Sequence, residues 1–134
     1  MTSHETTVRV RYAETDQMGV VYHANYLIWM EVGRVEFCRA RGIRYRDLET
    51  EDGILLAVAE ATCRYSFPAR YDDEVTIRTS IEKSNPRMVH FRYEMTCDGR
   101  KLATGATTHV FLSKDLRPVK LPRKHWGLFG IEER

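Results

Sequence analysis

Asp16, Gly19, His23 and Asn25 all lie in "AETDQMGVVYHANY", residues 13 to 26, directly ahead of the most apolar run in the chain. An aspartate before a glycine-containing loop is an ordinary turn or cap residue, but its position here also allows chemistry at a carbonyl group. A helix starting near His23 to Asn25 would carry unpaired backbone N–H groups and a partial positive charge in its first turn, able to receive a carbonyl oxygen as negative charge develops on it. A carboxylate just upstream can face the carbon of the same carbonyl. Such a carboxylate can either attack or activate water. His23 offers an imidazole suited to general-base work, a ring that orients a ligand, or only its backbone N–H. Asn25 reads as a helix cap or as an amide that orients the site.

The elements that must hold these residues follow from periodicity. Val8, Val10 and Tyr12 alternate with Arg9 and Arg11, which marks a half-buried strand. From Asn25 to Arg41 the pattern becomes helical and nearly all apolar over its first three turns, with Gly42 as the stop, so the helix must be surrounded. Segments 53 to 67, 73 to 84, 87 to 97 and 100 to 113 are rich in β-branched and aromatic residues and read as antiparallel neighbouring strands. Ser84-Asn85-Pro86-Arg87 and Cys97-Asp98-Gly99-Arg100 supply turns. Val89, Phe91, Tyr93, Met95 and Cys97 share one face of their strand, and one apolar sheet face with one apolar helix predicts an α+β fold in which the sheet curls around the helix. Gly33, inside that helix, marks a close helix-to-sheet contact or the approach of a substrate or partner helix. The tail "RPVKLPRKHWGLFGIEER" shows no readable periodicity.

A chain of 134 residues fits one domain, residues 1–134, and 43% hydrophobic residues suffice for a core. With no signal-like start and no run of about 20 uncharged apolar residues, a cytoplasmic location without membrane insertion is expected. Cys38, Cys63 and Cys97 are odd in number and far apart, which argues against a disulfide framework or a zinc site. His4, His90, His109 and His125 lack metal-ligand spacing, so neither metal nor cofactor is expected. A net charge of +2 is too small to argue for nucleic acid.

The segment "RYAETDQMGVVYHANYLIWMEVGR", followed by a long helix and four strands with "FPARYDDEV" between the first two, resembles the hotdog-fold acyl-CoA thioesterases of the 4-hydroxybenzoyl-CoA thioesterase type. Asp16, Gly19, Val20, Val21, Tyr22, His23, Asn25 and Tyr26 match that family's signature in register, and the likeness runs from about residue 8 to about residue 122. It implies a hotdog fold: a long central helix wrapped by a curved five-stranded antiparallel sheet. It also implies hydrolysis of an acyl- or aroyl-CoA to free acid and coenzyme A, with Asp16 as the catalytic carboxylate, either nucleophile or general base. The family's alternation between histidine and tyrosine at position 23 points to the His23 backbone N–H as the oxyanion donor.

The resemblance further implies a homodimer, able to pair again into a homotetramer, with the pocket at the dimer interface. Tyr22 and Asn25 then belong beside the substrate, and Val58 and Ala59 in the acyl pocket. Arg87 and Arg117 would lie near the coenzyme A phosphates, with Lys120, Arg123 and Lys124 as further candidates. The competing reading is a catalytically silent hotdog scaffold that docks a partner or nucleic acid through its basic tail, since a fold does not fix a function.

Overall fold

A computed structural model describes residues 3–132. In chain order these form β1 (Ser3–Arg9), α1 (Asn25–Ala40), α2 (Tyr45–Asp52), β2 (Leu55–Tyr65), β3 (Glu74–Asn85), β4 (Met88–Cys97) and β5 (Arg100–Leu112), with 3-10 turns at Tyr12–Glu14 and Arg123–Phe129. The strands make one antiparallel sheet in the order β1-β3-β4-β5-β2. Both tight turns form where the residue types place them. Asp98 and Gly99 have φ of 50° and 78°, the left-handed pair that an Asp-Gly hairpin turn uses. The Asn85 side chain accepts the N–H groups of Arg87 and Met88 at the other turn.

The sheet curves around α1, as the α+β reading requires. Val75 and Ile77 of β3, Val89, Phe91, Tyr93 and Met95 of β4, and Ala103 and Phe111 of β5 are buried together with Tyr26, Trp29, Met30 and Phe37 of α1. Two glycines set the depth of the helix. A Cβ on Gly33 would collide with Thr79 Oγ1 and lie 2.9 Å from Ile77 Cγ2, which makes Gly33 the close helix-to-sheet contact. A Cβ on Gly105 would collide with the Met30 methyl group and lie 3.0 Å from the Thr62 carbonyl oxygen. Gly42 ends the helix region at φ 89°.

Three local expectations are corrected, and one element is new. β1 ends at Arg9 rather than running to Tyr12, because Glu14 draws Arg11 and Tyr12 into a 3-10 turn through its carboxylate. β2 and β3 are not neighbours. The connection between them is too long for a hairpin, and β2 crosses to pair with β5, leaving its outer edge free. α1 is not fully surrounded, for it lies over β1 and β3, touches β2 little, and leaves Leu27 and Ile28 43% and 51% exposed. Finally, α2 forms from the charged run YRDLETED, which buries only Leu48 and so has no apolar period to read.

The tail packs onto the fold rather than projecting from it. Leu121, Phe129 and Ile131 are buried, Phe129 lies against Phe111, and Lys124 and His125 both bind Asp52 of α2. A free basic docking segment, as the alternative reading needs, is therefore not what residues 121–131 form.

Beneath α1 runs a buried polar chain. Arg34 donates to the Tyr93 hydroxyl (3.2 Å), and Thr107 Oγ1 lies 2.6 Å from that hydroxyl and 2.9 Å from His109 Nε2. Burial, helped by the Arg34 charge, pushes the His109 imidazole down to about 4 from an ordinary 6.5. His109 is thus neutral in the fold, while the unfolded chain binds a proton from about pH 6.5 downward. The stability is fully present above that pH and is lost as pH falls toward about 4. Urea titrations at pH about 7.5 and about 4.5 should show His109→Gln losing about 2–3 kcal/mol less than the wild type over this interval. Equal losses in the two proteins would remove His109 as the cause.

Candidate active site

Thr15 and Val21 form an isolated antiparallel bridge, and the chain between them is a tight turn. The Asp16 N–H donates to the Val20 carbonyl and the Gly19 N–H to the Asp16 carbonyl, both at 2.9 Å, with Gly19 at φ 78°. Asp16 Oδ1 accepts the Met18 N–H at 2.8 Å, so Asp16 is a turn residue in part. Its other carboxylate oxygen has no hydrogen-bond partner among the described residues.

α1 begins without a side-chain cap: Ala24 occupies that place. The carbonyls of Tyr22 and His23 turn into the helix and accept the N–H groups of Asn25 and Tyr26. Every described peptide bond is trans, so the N–H of His23 and of Ala24, each opposite one of those carbonyls, must point the other way, off the helix start. Neither finds an acceptor among the described residues. Ala24, which the sequence reading passed over, therefore supplies a second free donor beside that of His23.

Carboxylate and helix start meet at a pocket of about 270 Å³, walled by Val21, Tyr26, Tyr65, Phe67 and Pro68, with Asp16 and His23 on its lining. Among the described residues Asp16 supplies the only carboxylate on that lining. Tyr65, the last residue of β2, donates its hydroxyl to the His23 carbonyl at 3.1 Å. Burial and the neighbouring Cys63 push its phenol up to about 12, so it keeps the proton it donates. Tyr65 stands edge-on to Tyr26 with ring centres 5.0 Å apart, and the buried Tyr26 hydroxyl accepts the Ala69 N–H from the β2–β3 connection. The end of β2 and the connection that follows it are thus tied to the helix start.

Glu14 is a further residue that the sequence reading missed. It is only 8% exposed. Its Oε1 accepts the Arg11 N–H (2.8 Å), its Oε2 accepts the Trp29 indole N–H (3.3 Å), and its carbonyl accepts the Tyr22 N–H (2.9 Å) and Asn25 Nδ2 (3.0 Å). No local pattern marks it, since its partners come from three separate stretches of chain.

Of the residues expected at the site, Asp16 and His23 share the pocket. Tyr22 is half exposed with its ring against that of His23, at 4.6 Å between centres. Asn25 does not cap the helix; its amide reaches back to Glu14 and orients the loop. Val58 and Ala59 are exposed on the free edge strand at a β-bulge, and Val58 borders a different, larger depression of about 710 Å³ with Glu31, Val35 and Tyr45.

Arg87 and Arg117 are exposed at the end of the sheet where Leu55 pairs with Leu112, whereas the Asp16 pocket lies where Tyr65 pairs with Ala103. The length of β2 separates them, on the order of 30 Å. Within one chain, then, these four residues do not meet Asp16. Among the described residues no three His, Cys, Asp or Glu side chains converge as metal ligands.

Residues 10–125 match the family model of the thioesterase-like superfamily. The protein YneP of Bacillus subtilis is 38% identical over 115 residues, covering 84% of this chain and 83% of that one. The acyl-CoA thioesterase YbgC of Haemophilus influenzae is 30% identical over 119 residues, 87% of each chain. Among solved structures, DHNA-CoA thioesterase from Staphylococcus aureus superposes with a TM-score of 0.90 at 32% identity, over 95% of this chain and 87% of that one. Sheet order, helix placement and family match agree: the chain belongs to the thioesterase-like superfamily and has the hotdog fold.

Proposed function

We propose that the chain hydrolyses the thioester of an acyl- or aroyl-coenzyme A to the free acid and coenzyme A, with Asp16 as its catalytic carboxylate. One observation carries the residue assignment: an unpartnered carboxylate oxygen and helix-start amides without acceptors adjoin the same largely apolar pocket. The thioester carbonyl oxygen sits on the N–H of His23, with that of Ala24 beside it, and those amides stabilise the negative charge that grows as the carbon becomes tetrahedral. Asp16 either attacks that carbon, giving an anhydride that water then opens, or takes a proton from the water that attacks. In both courses the C–S bond breaks and coenzyme A leaves as its thiolate, which then takes up a proton.

The working unit is a homodimer joined through β2. This strand presents a long free edge with Val58 56% exposed, a liability unless it is paired, and the uncovered Leu27 and Ile28 of α1 need the same cover. Antiparallel pairing of two β2 strands about a two-fold axis brings the start of one strand beside the end of the other. Val58 and Ala59 then face the partner's Asp16 pocket, and Arg87 and Arg117 reach the phosphates of the coenzyme A bound there. A cytoplasmic location fits this substrate. No described helix is long and apolar enough to cross a membrane.

Asp16→Asn keeps the shape and removes the charge. It should lower turnover of acyl-CoA thioesters, read as released thiol, by more than about 100-fold with an unchanged circular dichroism spectrum. Retention of more than about a tenth of wild-type turnover would remove Asp16 from the catalytic role.

His23→Tyr preserves the backbone N–H and should keep turnover within about 10-fold of wild type. A folded but inactive tyrosine variant would assign the work to the imidazole instead.

A further inference from the structure

Glu14 lies two residues before Asp16, and its carbonyl holds the N–H of Tyr22, the residue before His23. Both halves of the site hang from this one residue. On one side Glu14 leads through Thr15 to the catalytic carboxylate. On the other, its carbonyl grips Tyr22 and Asn25, the residues flanking the free amides of His23 and Ala24. Its side chain fixes Glu14 itself, because the two carboxylate oxygens accept from two donors on different elements, the Arg11 N–H of the 3-10 turn and the Trp29 indole N–H one turn into α1. The exposed Arg11 guanidinium lies a further 3.5 Å from Oε1.

Such a position calls for a carboxylate and not merely a polar residue. Both facing groups are donors, so acceptors are needed on both branches. A glutamine offers one oxygen, and its NH₂ necessarily meets an N–H. A buried donor facing a donor pushes the two elements apart, and displacements near 1 Å at a reacting centre cost on the order of 100-fold in rate.

We propose that Glu14 is a positioning residue for thioester cleavage, its buried carboxylate acting as a two-acceptor clamp that sets the Asp16 carboxylate against the free amides at the start of α1. This role rests on Asp16 and the helix-start amides acting as described above. It adds that their spacing is held by a second acid that never touches the substrate.

The test is steady-state kinetics on the full-length chain with an acyl-CoA that the wild type hydrolyses. Glu14→Gln should lower kcat about 10- to 100-fold while KM stays within about 2-fold, because the groups are misplaced and the pocket is kept. In an Asp16→Asn background the same change should lower the residual turnover by a clearly smaller factor, since the carboxylate that the clamp sets against the amides is already gone. Adding Trp29→Phe to Glu14→Gln removes the opposing donor and should restore part of kcat.

A kcat of Glu14→Gln within about 2-fold of wild type, or an equal fold-loss with and without Asp16, overturns the proposal. If the wild type is active, Asp16→Asn inactive and Glu14→Gln fully active, the clamp fails and the assignment of Asp16 stands. A wild type inactive on every thioester overturns both. Should Glu14→Gln not fold, Trp29→Phe alone decides: a several-fold loss of kcat at constant KM supports the clamp, and an unchanged kcat overturns it.

Discussion

The depth at which α1 lies in the curved sheet governs the rest of this molecule. Side chains normally hold a helix off the sheet that it covers. Here two missing side chains, at Gly33 on the helix and Gly105 on β5, let the backbones approach until Thr79, Ile77 and the Met30 methyl group fill the gap. Because the helix is sunk that far, its first turn emerges level with the loop that follows β1. A helix start uncapped by any side chain thereby comes to face a carboxylate, and the unpaired N–H groups that every helix leaves at its beginning become usable donors.

The same placement explains what the single chain leaves open. α1 is seated toward β1 and β3, so the half of the concave face near β2 lacks a helix of its own, and Leu27, Ile28 and Val58 are left exposed around it. Polar groups cover the other face of the sheet, where Glu94 pairs with Arg78 and Lys101, and Glu82 pairs with Arg92 and lies 2.9 Å from His90 Nε2. In the proposed dimer a second copy would cover Leu27, Ile28 and Val58.

Much of this is legible in the sequence, and the limit is physical. The long helix and β3, β4 and β5 announce themselves through periods of 3.6 and 2, and Asp98-Gly99 through the one backbone conformation that such a pair favours. Asp16 and His23 were singled out through the family signature that they match, which is legible because it is local. Strand order was not, since nothing near Leu55 or Tyr65 records that β2 crosses the sheet to reach β5. Nor were α2, with Leu48 as its single buried residue, or the tail, whose buried Leu121, Phe129 and Ile131 follow no period. Glu14 and Tyr65 escaped for the same reason: one is defined by Arg11, Tyr22 and Trp29, the other by His23, and only folding brings these together.

In the proposed mechanism Asp16 and the helix-start amides act on one thioester, in a pocket that the partner completes. A crystal structure of the Asp16→Asn variant with an acyl-CoA bound is the decisive test. The thioester oxygen should lie about 2.7–3.1 Å from the N–H of His23 or Ala24. Residue 16 should lie beside the carbonyl carbon, Val58 and Ala59 of the partner subunit against the acyl group, and the phosphates near the partner's Arg87 and Arg117. A thioester seated instead in the depression bordered by Glu31, Val35 and Tyr45, away from residue 16, would contradict this mechanism.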